Sequence, residues 1–265
     1  MKEIRIEYPV LFFFRKTKMI QVPEEWIDLT GRQFAVCCSL FTEPLSDVMF
    51  ISKFFGIKKS LAKRLGKFYQ YKLIELAEFV ANPKAMVNFF YLQEIRGTGL
   101  KAPDKRLHGV TFERFMLFDT LFFDYMNDRK EESLAKFIAI LYLKETGIFK
   151  KKTENATDIY IDKRVKFIMK NVDKSTQYAI FLNYSFIRKW LSKPYPFLFG
   201  FTEEEDDDKK KPVRLKKPNR TDWNAILDGL VGDDIIHHEQ YTKIPCTVAF
   251  KTINNRIKNY NKYGK

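Results

Sequence analysis

The chain has 265 residues, 47 basic against 33 acidic for a formal charge of +14, and 26 phenylalanines within a 45% hydrophobic composition. That apolar and aromatic content excludes global disorder, and no apolar run reaches the roughly 18 residues of a membrane span. Cys37, Cys38 and Cys246 lack the paired spacing of a disulfide or zinc framework, and the first residues lack the form of an export signal, so reduced thiols in a cytoplasmic protein are expected.

Lys2 to Phe14 reads as extended, with Ile4 and Ile6 alternating with Arg5 and Glu7 before an apolar run. Arg15 to Lys18 reads as a polar break and Met19 to Val22 as a returning strand. A small N-terminal β-hairpin is expected, or an edge strand that pairs elsewhere, ending at Pro23. Helices dominate from there. Thr30 and Gln33 have the spacing of a capping box. Ser46 precedes a short apolar helix stopped at Gly56. Ser60 is placed to cap a helix running from Leu61 towards Val80, with Leu65, Phe68, Leu73, Leu76 and Phe79 as its buried stripe.

Ala85 to Ile95 is ambiguous between helix and strand, and Gly97 to Gly109 reads as a loop from its glycine and proline content. Thr111 is placed to cap Phe112 to Met126, where Phe115, Phe118, Phe122 and Tyr125 share a face. Glu131 to Glu145 carries apolar residues at helical spacing, with Gly147 at the C′ position. The short connection predicts that these two helices pack as an antiparallel pair. Phe149 to Asp158 reads as a loop. Ile159 to Met169 and a helix from Asp173 or Ser175 through Trp190 complete the body.

Residues 202–220 read TEEEDDDKKKPVRLKKPNR, an acidic run followed by a basic, proline-containing one with no apolar face. This composition predicts a solvated linker or long loop. The expected organisation is therefore a helical body with its N-terminal extended element over 1–201, a charged linker over 202–220 and a small helical tail unit over 221–265. In the tail, Thr221 or Asp222 caps a helix with Trp223, Ile226, Leu227 and Leu230 on one face. A second helix starts near Ile244-Pro245, with Val248, Ile253 and Ile257 facing the first. The fold class is mainly α, a multi-helix, bundle-like body with a small N-terminal hairpin or extended segment and a short helical C-terminal unit.

No constellation carries chemistry. His237-His238 is the only histidine pair, with Asp233, Asp234, Glu239 and Cys246 near it in sequence. Adjacent side chains diverge in an ordered element, so polar surface is the expected reading. Arg96-Gly-Thr-Gly99 lacks the residue order of a phosphate loop. Asp119 and Asp124 are acids that nothing in the sequence holds in register. No catalytic residue, cofactor or metal is assigned. Trp26 and Trp223, with Ile226, Leu227 and Leu230, are the candidate protein-contact residues, since buried aromatics carry much of an interface's affinity. The competing use of each tryptophan is as a staple against its own helix. Lys209, Lys210, Lys211, Arg214, Lys216 and Lys217 are the candidate basic contacts, suited to weak, non-specific nucleic-acid binding or to loose pairing with the acidic run.

Three patterns carry a resemblance: Val22-Pro-Glu-Glu-Trp-Ile-Asp-Leu-Thr30 with Gln33; Thr111-Phe-Glu-Arg-Phe115 with Glu132-Ser-Leu-Ala135 and Ile140-Leu-Tyr-Leu143; and Trp223-Asn-Ala-Ile-Leu227 with Gly232-Asp-Asp234, Ile244-Pro245 and Val248-Ala-Phe250. Together they resemble small accessory proteins encoded among the tail genes of phages and prophages of gut bacteria. The resemblance implies a non-enzymatic role like that of tail assembly chaperones, which bind tape-measure or tail-tube protein in the host cytoplasm. It carries over no functional residue, because it rests on packing patterns. The basic charge departs from a simple chaperone, and a structural virion or head-tail component contacting nucleic acid is the alternative. A homo-oligomer is compatible with either; a membrane partner is not expected.

Overall fold

A computed structural model describes residues 2–11, 14–144, 158–200 and 221–263. The chain is mainly helical with an N-terminal hairpin. In order, the elements are β1 (Lys2–Leu11), β2 (Phe14–Val22), α1 (Gly31–Ser39), α2 (Asp47–Phe54), α3 (Lys59–Arg64), α4 (Lys67–Glu75), β3 (Glu94–Ile95) and β4 (Leu100–Lys101). Then come α5 (Phe112–Asp128), α6 (Glu131–Leu141), β5 (Leu143–Lys144), α7 (Asp158–Asn171), α8 (Lys174–Leu191), α9 (Pro196–Phe199), α10 (Trp223–Val231), α11 (His238–Lys243) and α12 (Cys246–Tyr263). Short 3-10 turns lie between some of them.

The chain divides into two compact units: Met1–Val87 with Val172–Phe186, and Asn88–Asn171 with Ile187–Lys265. The expected tail segment thus belongs to the second unit, and the expected body is itself split. The charged run at 202–220 lies outside the described residues.

In the first unit β1 and β2 pair antiparallel with Ile4 opposite Ile20 and Lys2 opposite Val22. Ile6, Ile20 and Val22 are buried while Met19 is exposed, the one-sided alternation that a half-buried hairpin requires. The second strand starts at Phe14, so Arg15 to Lys18, expected as a polar break, are part of it. Thr30 and Gln33 form the predicted capping box at the start of α1. The helix expected from Leu61 towards Val80 is instead broken. Leu65 leaves α3 in an extended conformation, and the buried Gln70 amide donates to the carbonyls of Ala62 and Leu65 at 2.9 Å each. These bonds satisfy carbonyls at the end of α3, and the chain restarts after Gly66 with a new helical phase. Phe68 accordingly faces solvent, against its expected place in the buried stripe.

In the second unit Thr111 caps α5 by accepting from the Arg114 amide. Helix α6 packs on α5, with Phe122 and Phe137 ring centroids 5.9 Å apart. It stops at Leu141, short of the expected Glu145, and Gly147 lies outside the described residues. The Arg114 side chain donates to the carbonyls of Ile140 (3.0 Å) and Leu141 (2.8 Å), and the Arg164 side chain donates to Ala139 (2.6 Å). With its last carbonyls capped from outside, the chain turns extended at Tyr142 and enters β5. There it pairs with β4, which lies inside the segment read as a loop, and β4 pairs with β3. Helix α7 is present as predicted.

Residues 221–263 are bound to the start of α5 by backbone hydrogen bonds. The Phe112 amide donates to Ile244 and the Cys246 amide to Val110, at 2.9 Å each. Asp222 caps α10 by accepting from the amides of Asn224 and Ala225. Arg256 donates to the carbonyls of Gly229 and Leu230 at its far end. Val248, expected to face α10, is exposed; Cys246, Ala249, Phe250, Ile253 and Asn254 are the buried residues of α12.

Candidate functional site

The residues proposed as contact anchors are mostly internal. Trp26 is buried in the first unit, edge-on to Phe34, Phe79 and Phe186 at centroid distances of 5.9, 6.3 and 5.4 Å. Its indole N–H donates to the carbonyls of Phe79 (3.1 Å) and Asn82 (3.0 Å). Trp223 is buried in the second unit among Phe112, Phe115, Phe199 and Phe250. Leu227 and Leu230 are buried beside it, and Ile226 is half-buried. Both tryptophans are thus buried within their own units, Trp223 at the edge of a surface cleft. Lys209, Lys210, Lys211, Arg214, Lys216 and Lys217 lie outside the described residues.

The acids are also committed. Asp119 is fully buried and accepts from Arg188 Nε at 3.0 Å and from Trp223 Nε1 at 2.8 Å. Arg188 is further held over the Phe123 ring, 4.5 Å from its centroid. A carboxylate surrounded in this way is a packing element, because its lone pairs are spent on internal donors. Asp124 lies on the same helix as Asp119. His237 Nδ1 lies 2.6 Å from Asp234 Oδ1, and the Tyr241 hydroxyl donates to the other oxygen at 3.1 Å. The His237 contact holds the exposed Asp234 carboxyl below its usual range. Among the described residues no three His, Cys, Asp or Glu side chains gather as a metal-binding group, and no helix is long and apolar enough to cross a membrane. The three cysteines are buried, and burial pushes the Cys37 and Cys246 thiols up to about 12. A thiol held protonated in this way is a poor nucleophile.

What remains open is surface. The second unit has a cleft of about 500 Å³ beside Glu113, Leu117, Trp223 and Asn224, and a hollow of mixed charge, about 590 Å³, beside Glu94, Lys101, Asp104, Arg114 and Lys144. Arg114 there is lowered to about 10, chiefly by burial and then by the neighbouring Arg164. Its donors to the end of α6 give it a structural role.

The first unit carries a different concavity, an apolar groove of about 380 Å³. Its walls are Leu40 and Phe41 just past α1, Leu45 on the next connection, Phe50 of α2 and Ile74 of α4. Phe50 forms the floor, stacked on Phe54 at 5.0 Å. Small residues at Ala77 and Ala81, where α4 gives way to a 3-10 turn, leave the space unfilled. Leu40 is 36% exposed and Phe41 44%, with the Phe41 ring tilted against Tyr178 at 5.8 Å. Sequence reasoning passed over these residues. The available signal was an apolar Leu40-Phe41 pair lying beyond the stripe of α1 and directly before a polar Thr-Glu-Pro turn.

No protein-family model, curated protein or solved structure matches this chain.

Proposed function

We propose that this chain is a non-enzymatic protein-binding factor of phage tail assembly, a chaperone for tape-measure or tail-tube protein. The observation that supports protein binding is the apolar groove of the first unit, which exposes Leu40 and Phe41. Catalysis requires positioned acids, bases or nucleophiles, whereas recognition requires an apolar anchor surface with a polar rim. The groove meets the second requirement. Tail assembly is drawn from the three sequence patterns, and the partner classes follow from them.

Co-expression with the tape-measure and tail-tube proteins of the same gene cluster tests the reading. A chaperone raises their soluble yield and is absent from purified particles. Presence at fixed stoichiometry in mature particles makes it a structural component instead. Absence of both binding and an assembly defect on deletion removes the tail-assembly role.

A further inference from the structure

We infer that the groove of the first unit receives a cationic amphipathic helix of a partner protein, with apolar side chains in the groove and Lys or Arg on its flanks. This rests on the protein-binding reading and specifies the chemistry of what is bound.

The charge around the groove carries the argument. Its charged lining residues are both acidic, Asp47 and Glu78, and the exposed Glu43 lies on the connection from Phe41 to Asp47. None of these three carboxylates has an ion-pair partner among the described residues. Other surface acids are neutralised by lysines on their own helices, as Glu75 is by Lys72 and Glu132 by Lys136, at 2.7 Å each, so the groove's acids are left to act on a partner. An apolar floor edged by unpaired carboxylates complements an apolar ridge edged by cations, which selects partner and register more than it adds affinity.

The walls decide the form of the occupant. A β-strand partner needs a free backbone edge. Here the amides of Leu40, Phe41, Thr42 and Glu43 already donate to Cys37, Cys38 and Ser39. Recognition therefore falls to side chains, and a groove walled by helix ends takes a helix laid in by its i, i+3, i+4 and i+7 positions. A membrane surface is disfavoured by the same carboxylates, because the anionic headgroups that attract peripheral proteins would be repelled.

The test uses the full chain and a fluorescent designed peptide with Leu at i, i+3, i+4 and i+7 and Lys on both flanks. A counterpart has the same leucines and Glu flanks. Anisotropy should show the Lys peptide binding roughly tenfold tighter at low salt, the scale of a few exposed ion pairs. That preference should disappear in Asp47→Asn/Glu78→Gln, whose changes lie on exposed positions. Phe41→Ser should weaken both peptides. Equal binding of the two peptides, no binding of either, or a preference that survives in the charge variant overturns the inference. Concentration-dependent self-association abolished by Phe41→Ser also overturns it, by making a second copy the occupant. If the Lys peptide binds selectively but tape-measure and tail-tube yields do not respond, the groove stands and tail assembly falls. If yields rise equally with both groove variants, tail assembly stands and the groove falls.

Discussion

The indole N–H of Trp223 reaches Asp119 Oδ2 at 2.8 Å across 104 positions of sequence, while Arg188 Nε holds the other carboxylate oxygen at 3.0 Å. Helix α5, the end of α8 and the start of α10 meet at this one fully buried carboxylate. Arg188 also lies over Phe123 and within 3.4 Å of the Thr221 hydroxyl. The charges are tolerable inside the unit only because each has its partner, so the network specifies one arrangement of these elements.

Removing one member should expose that dependence. Asp119→Ala leaves the Arg188 charge buried without its carboxylate and should cost about 3–5 kcal/mol in urea unfolding. Trp223→Phe keeps much of the ring and loses the bond to a charged acceptor, costing about 1.5–3 kcal/mol. Trp223→Ala also opens a cavity and should cost about 3–5 kcal/mol. A loss below about 0.5 kcal/mol for Asp119→Ala would show that the network does not hold the unit together.

Trp26 separates stability from partner binding. Its indole donates to two carbonyls, of Phe79 and Asn82, where the chain leaves its 3-10 turn. Trp26→Phe leaves those carbonyls without this donor and should cost about 1–3 kcal/mol. Because the ring is buried in its own unit, peptide binding to the groove should be unchanged at temperatures where the variant is folded. Loss of binding in a folded Trp26→Phe protein would return this residue to the interface.

The cysteines give a pH signature. Burial raises the Cys37 and Cys246 thiols from 9.0 to about 12 and raises Cys38 as well. The folded chain therefore keeps protons that the unfolded chain releases. This contribution is fully present below about pH 9 and is lost as pH rises towards 12, at about 1.4 kcal/mol per pH unit for each thiol. Cys246→Ala should reduce the alkaline slope of unfolding stability by about that amount between pH 9 and 12. An unchanged slope would mean that Cys246 ionises alike in both states. In the native protein at pH 8, all three thiols should react slowly with a thiol reagent and rapidly after unfolding.

Much of the local architecture was legible because it depends on neighbouring residues. The Thr30–Gln33 capping box, the Thr111 and Asp222 caps and the aromatic face of α5 are set by short spacings, and each is present. The misplaced boundaries depend on side chains that reach backbone carbonyls outside their own helix, Gln70 from five positions beyond Leu65 and Arg114 from 26 and 27 positions before Ile140 and Leu141. Nothing near Leu65 announces that the Gln70 amide will close α3, and nothing near Tyr142 announces that Arg114 will cap α6. The roles of the tryptophans turned on partners far along the chain, as with Trp223 and Asp119. The groove was hidden for a related reason: Leu40, Phe50 and Ile74 come from three separate segments, and only their packing leaves the gap.

The basic run at Lys209 to Lys217 remains a matter of charge alone. Lys209, Lys210, Lys211, Arg214, Lys216 and Lys217 form a dense cationic stretch in a chain of net charge +14, with no base-reading motif beside it. Any binding to DNA or RNA should therefore be weak and indifferent to sequence. It should weaken with salt, log affinity falling by about 0.9 per decade for each duplex phosphate neutralised. Replacing these six residues with Gln should flatten that dependence, as measured by filter binding over a range of salt concentrations. A sequence-selective complex that survives high salt would reverse the order of the two readings. The chain would then belong in contact with the genome, as a head-tail or virion component, before it belonged with tail assembly.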